Sequence, residues 1–126
     1  MSDVFVERAR HLSAARDLVA GDTDYTSALA LLAVHSAISW NDAILTRLIG
    51  RAQKGENHMR AALALEGQCA ARKMNREGVK HLKRLIEAKS KISYGDQRTT
   101  PEAALSLSVS AERFERWAIQ VLRRFA

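Results

Sequence analysis

The sequence predicts an all-α fold, an up-and-down bundle of four long helices plus a fifth. One proline and six glycines in 126 residues leave too little punctuation for a sheet of many short strands. Ala, Leu, Arg, Lys and Glu dominate, and these are strong helix formers. Apolar residues also recur at spacings of three and four through most of the chain. At this length, with 47% apolar and 27% charged residues, the reading is one domain spanning residues 1–126.

The first helix is expected from Asp3 to Ala20, with Val4, Leu12, Ala15, Leu18 and Val19 as its apolar positions and Glu7, Arg8, Arg10 and Arg16 on other faces. Gly21 suits its end. Asp22-Thr23-Asp24 supplies capping oxygens for a second helix that runs to about Ile49 and is closed by Gly50. Arg51 to Glu56 reads as an exposed loop, and Asn57 can cap a third helix to about Arg72. After a break near Lys73 to Glu77, a fourth helix carries Val79, Leu82, Leu85, Ile86 and Ala88 to about Ile92. Tyr94 to Thr99 reads as a loop, with Gly95 supplying a positive φ and Tyr94 capping the bundle. Thr100-Pro101-Glu102 places a capping hydroxyl, a first-turn proline and a first-turn acid in the preferred order. The fifth helix then presents Ala104, Leu107, Ala111, Phe114, Ala118, Val121, Leu122 and Phe125 as its apolar stripe. Short connections imply antiparallel neighbours. Trp40 and Trp117 read as core or dimer-interface residues, and Cys69 as a small buried hydrophobe.

Several classes are disfavoured. A lone Cys69 makes neither a disulfide framework nor a thiolate zinc site, which fits a reducing cytoplasm. The N-terminus has no basic and apolar signal-peptide pattern. The apolar window Tyr25 to Ile49 is interrupted by His35, Asp42 and Arg47, so it reads as a core helix and no membrane partner is expected. His11, His35, His58 and His81 form none of the usual helical metal motifs, so no metal or other cofactor is expected.

The net charge of +6 is unevenly spread. Residues 1–50 hold four basic and six acidic side chains, residues 51–91 eleven and four, and residues 92–126 five and four. Lys80, Arg84, Glu87 and Lys91 share one face of the fourth helix, with Lys73, Arg76 and Lys83 nearby. Such a face is either a solvated exterior or an electrostatic footprint for phosphates. Few aromatic residues accompany it, which argues against base stacking.

Two groups of polar residues are candidates for chemistry. His35, Ser39, Asp42 and Thr46 lie on one stripe of the otherwise apolar second helix, and they should bond to one another, to backbone or to a partner. Arg51 and His58 are separated by six residues. A neutral histidine can take a proton from a ribose 2′-hydroxyl while a guanidinium holds the adjacent phosphate, the minimum for metal-independent RNA cleavage.

The run Gly50 to His58, followed by Leu85-Ile86-Glu87-Ala88-Lys89, Ile92-Ser93-Tyr94-Gly95, Thr100-Pro101-Glu102-Ala103 and Ala111-Glu112-Arg113-Phe114, resembles small bacterial HEPN-domain proteins over nearly the whole chain. The resemblance implies a four- or five-helix bundle that forms homodimers, with an Arg-x(4–6)-His motif from each subunit lining a shared cleft. By that resemblance Arg51 would contact phosphate, His58 would perform acid–base chemistry and Asp42 would support them. Lys54 and Asn57 within the motif, with Lys89 and Tyr94 at the polar corner, would contact phosphate or ligand. It further implies a toxin or defence ribonuclease, or the partner of a minimal nucleotidyltransferase or antitoxin. Two function classes therefore stay open: an RNA- or nucleotide-binding domain that cleaves RNA without metal, and a non-catalytic interaction module.

Overall fold

The computed structural model describes residues 3–52, 57–95 and 98–126. Helix α1 (Val4–Val19) starts at Asp3, whose Oδ1 accepts the N–H groups of Phe5 and Val6 at 3.0 and 3.1 Å. Asp22 does not cap the second helix directly. It caps a single 3-10 turn (Thr23–Tyr25) that feeds α2 (Thr26–Ile49). Gly50 closes α2 at φ 78°, the left-handed conformation that a residue without Cβ adopts most readily. Helix α3 (His58–Ala71) is capped by Asn57, whose Oδ1 accepts the Arg60 N–H at 2.9 Å. Helix α4 (Glu77–Tyr94) runs two residues past the expected end at Ile92. Helix α5 (Pro101–Arg124) begins as expected, with Thr100 Oγ1 accepting the Ala103 N–H at 3.1 Å. Gly95 departs from expectation: its φ is −76°, and what demands glycine there is space, since a Cβ would collide with the Lys91 carbonyl oxygen.

All five helices share the all-α bundle predicted from sequence, and side-chain contacts set their directions. Arg47 meets Asp3 at 3.3 Å, Trp40 meets Ser13 at 2.9 Å and Arg16 meets Ser36 at 3.4 Å, so α1 runs antiparallel to α2. Glu115 joins the Arg16 end of this pairing and the Leu122 carbonyl accepts from Arg47 at the other, so α5 runs with α2. Arg84 reaches Ser106 and Ser110 of α5, while Trp117 packs on Gly78 and donates to Asn75, so α4 and α5 are antiparallel. Helix α3 meets α2 through the Ala61 carbonyl at Asn41 and through Arg72 at the Leu48 carbonyl, and therefore advances in the same sense as α2. At that connection the expected alternation fails. The chain between Gly50 and Asn57 is long enough to double back, at about 3.3 Å per residue.

Helix α2 lies at the centre, packed most extensively against α1 and α5 and also against α3 and α4. Ala30, Ala33, Val34, Ala37, Trp40, Ala43, Ile44 and Leu45 are buried, as are Leu65, Cys69, Leu82, Leu85 and Phe114 from other helices. The stretch Thr23–Ile49 is long and apolar enough to cross a membrane by length and composition, but 67% of its most apolar window is buried within the bundle, as in a core helix. The fifth-helix stripe packs as predicted up to Leu122, and Phe125 sits at the edge beneath the guanidinium groups of Arg72 and Arg124.

Helix α1 packs differently from its apolar pattern. Its buried residues are Ala9, Ser13 and Arg16, while Val4 and Leu18 are exposed. Small size and satisfied polarity decide this. Ser13 accepts the Trp40 indole N–H, and Arg16, only 1% exposed, bonds Ser36 of α2 and pairs with Glu115 of α5 at 2.9 Å.

Two substitutions test this packing. Arg16→Ala leaves a largely buried Glu115 without its cation and should cost about 3 kcal/mol in urea unfolding. Gly78→Ala drives a methyl group into the Trp117 ring and should cost about 1–3 kcal/mol, with altered Trp fluorescence.

Candidate functional site

Helix α2 carries the singled-out polar residues on one stripe that its neighbours cover only in part. His35 is exposed, Asp42 and Thr46 are half-buried and Ser39 is buried at its edge. No hydrogen bond links the four to one another among the described residues, and the buried Thr46 hydroxyl has no partner in the structure. Of the three ways open to the polar groups of this stripe, bonding to one another is the one the described residues do not show. Arg8 of α1 and Lys89 of α4 flank it electrostatically. Burial raises the Asp42 carboxyl to about 6, with the Arg8 guanidinium opposing the rise. Burial, then the Lys89 ammonium, holds His35 below the ordinary histidine range. Near neutral pH this stripe holds a carboxyl that changes protonation state and, two helical turns away, a histidine held below its ordinary range.

Arg51 and His58 are placed apart from each other by the path of the chain. Arg51 is exposed, just beyond the Gly50 cap, about 15 Å further along the α2 axis than Asn41 at 1.5 Å per residue. His58 opens α3 one turn before Ala61, the residue that Asn41 reaches. His58 and Asp42 thus lie at a similar height, and Arg51 lies above both. Asn57 spends its side-chain oxygen on the α3 cap. Lys54 and the Tyr94 side chain lie outside the described residues, while the Tyr94 backbone ends α4.

A second cluster was only partly legible in the sequence. Of the basic residues expected near the charged face of α4, Lys83 is tied to Glu66 of α3 at 3.1 Å and Arg76 approaches the same carboxylate at 4.0 Å. Their charge is offset there. Arg84 lies across α5, donating to Ser110 and Ser106 at 2.5 and 2.6 Å. The register that sets Arg84 opposite Ser110 and Gly78 opposite Trp117 also brings His81 level with Arg113. Burial lowers the His81 pKa first, and Lys80, Arg113 and Arg84 lower it further against a weaker pull from Glu77. Lys80 pairs with Glu77 at 2.9 Å, whereas Arg113 is exposed with no ion pair among the described residues. Arg113 and His81 were missed because their placement depends on how α5 docks. Among the described residues, no group of three or more His, Cys, Asp or Glu side chains is placed to hold a metal ion.

Comparison of the chain with protein-family models, with curated proteins and with solved structures finds no match.

The raised Asp42 pKa makes a signed prediction. Its contribution to stability is complete below the ordinary value of 3.8 and is lost as pH rises through about 6. Asp42→Asn should therefore unfold at higher urea than the native protein at pH 8, by about 1–2 kcal/mol, and the gain should vanish near pH 3.5. Carbon-detected NMR titration of the Asp42 carboxyl checks the same point.

Proposed function

We propose that this chain is a HEPN-like helical domain that binds RNA or other nucleotide phosphates in the cytoplasm, as a homodimer. The observation that carries the reading is the seam between α4 and α5, where Arg84 is held across Ser110 and Ser106, exposed Arg113 lies level with His81, and Lys80 stands paired with Glu77. Nearby positive charges that repel a proton from an imidazole attract a phosphate in the same way. The placing of Arg84 across two serine hydroxyls holds one guanidinium rigidly in that field. The residues carried over from the family resemblance, Arg51, His58 and Asp42, would serve metal-independent RNA cleavage, with Arg51 on phosphate and His58 moving the proton. Their separation in height within one chain favours a composite site, Arg51 from one subunit and His58 from the other. A mixed surface for pairing is available on α1, where Val4 and Leu18 are exposed and Val4 and Leu12 border a shallow hollow with Glu7, Arg8 and His11.

The same separation also favours a second reading, in which Arg51 and His58 do no chemistry and the domain is a non-catalytic module that pairs with a protein such as a nucleotidyltransferase or antitoxin. Mixing the two inactive variants, Arg51→Ala and His58→Ala, distinguishes the cases. A composite site predicts partial recovery of EDTA-resistant RNA cleavage in the mixture, and absence of cleavage by the native protein discards catalysis.

Binding has its own test. Affinity for a labelled single-stranded RNA should fall steeply with salt, and Arg113→Ala should reduce the slope of log K against log salt by about 0.7. Bound polyanion should raise the His81 pKa seen by NMR, so affinity should increase as pH falls through the histidine range. RNA affinity that is absent at low salt, or unchanged between 50 and about 200 mM salt, would discard the reading.

A further inference from the structure

The α4–α5 seam opens at one end into a cavity of about 510 Å³, lined by Ala88, Lys91, Ile92, Gly95, Arg98 and Thr99, with Thr100, Ala103 and Leu107 completing it. The register explains the space. Ala88 and Leu107 lie level across the seam, as do Lys91 and Ala103, so two alanines and a glycine stand where larger residues would close the gap. Gly95 cannot be enlarged without striking the Lys91 carbonyl, which keeps that wall small.

We propose that this cavity binds a small amphipathic anion: an aliphatic body of about eight to ten carbons ending in a carboxylate or phosphate monoester. The volume falls within the range of about 300–1,000 Å³ typical of small-molecule sites. Its inner surface is apolar, with buried Leu107 and half-buried Ile92 and Ala88. Lys91 and Arg98 supply cations at the rim, and neither has an ion-pair partner among the described residues. Among the described lining residues the charged side chains are both cations, Lys91 and Arg98. Thr100 Oγ1 accepts the Ala103 N–H and keeps its own proton to donate outward. The described lining side chains that face inward are aliphatic, which suits a saturated chain. An apolar floor and a cationic rim select a molecule with both halves, because a hydrophilic anion leaves the floor wet and a neutral alcohol leaves the rim unpaired.

The inference does not depend on RNA binding. Amide shifts of the nitrogen-15-labelled protein are followed by NMR during titration with octyl phosphate, inorganic phosphate and 1-octanol. Octyl phosphate should give saturable shifts at Ala88, Ile92, Ala103 and Leu107, with each of the other two at least about tenfold weaker. Ala103→Phe, at an exposed position, should fill the cavity and abolish those shifts while helical circular dichroism and salt-dependent RNA affinity stay unchanged. The double change Lys91→Ala with Arg98→Ala should weaken octyl phosphate about tenfold and leave 1-octanol unaffected. Vesicles of phosphatidylglycerol separate a free ligand from a bilayer: sedimentation with vesicles but no shift with soluble octyl phosphate overturns the proposal. So do equal affinities for octyl phosphate and either fragment, or octyl phosphate binding that survives Ala103→Phe.

Discussion

A guanidinium removed from water must be met by acceptors wherever it goes, and in this protein that demand falls on Arg16. Moving such a charge out of solvent costs several kcal/mol unless neighbours compensate it. Here the compensation comes from three places: Asp17 beside it, Ser36 on α2 and Glu115 on α5. Satisfying Arg16 therefore aligns α1, α2 and α5 with one another. One turn away, Ser13 accepts the Trp40 indole N–H, so the largest side chain of the core is anchored by the same face of α1. With α1 and α5 committed to one side of α2, the remaining helices take the other side and leave one stripe half-covered.

That stripe carries Asp42 and His35. Their perturbed pKa values have a common origin in partial burial, and each is further adjusted by a cation from a different helix, Arg8 and Lys89. The other face of the bundle shows the complementary physics. Glu66 draws Lys83 and Arg76 toward α3 and Glu77 pairs with Lys80, which leaves Arg113 and Arg84 as the cations near His81 without a carboxylate partner among the described residues. A net charge of +6 thus resolves into local fields, some neutralised by carboxylates and some not. Only the latter have electrostatic reach beyond a contact pair.

Much of the fold was legible because helix boundaries are written in local chemistry. Asp3, Gly50, Asn57 and Thr100 stop or start helices through bonds to their own neighbours. Less of the candidate site was legible. The polar stripe of α2 was visible as a spacing, but its exposure was not, since spacing says which residues share a face and not what covers it. The face of α1 was misread because counting apolar residues gives no weight to Ala9, Ser13 and Arg16, whose burial depends on partners on other helices. Arg51 and His58 look close in sequence, yet α3 docks on α2 with Ala61 beside Asn41, which sets His58 well below the end of α2 where Arg51 lies.

The amino-acid sequence by itself determined the class of fold, five helices and most of their ends, because hydrophobic periodicity and capping act over a few residues. Its uneven charge also determined that the middle of the chain would be basic. The tertiary structure decided the direction of α3, the burial of Arg16, the placing of Arg113 level with His81 and the cavity between Ala88 and Ala103. Each of these is set by the register of one helix on another, and register follows from summed packing and charge satisfaction across distant segments, which local spacing does not record.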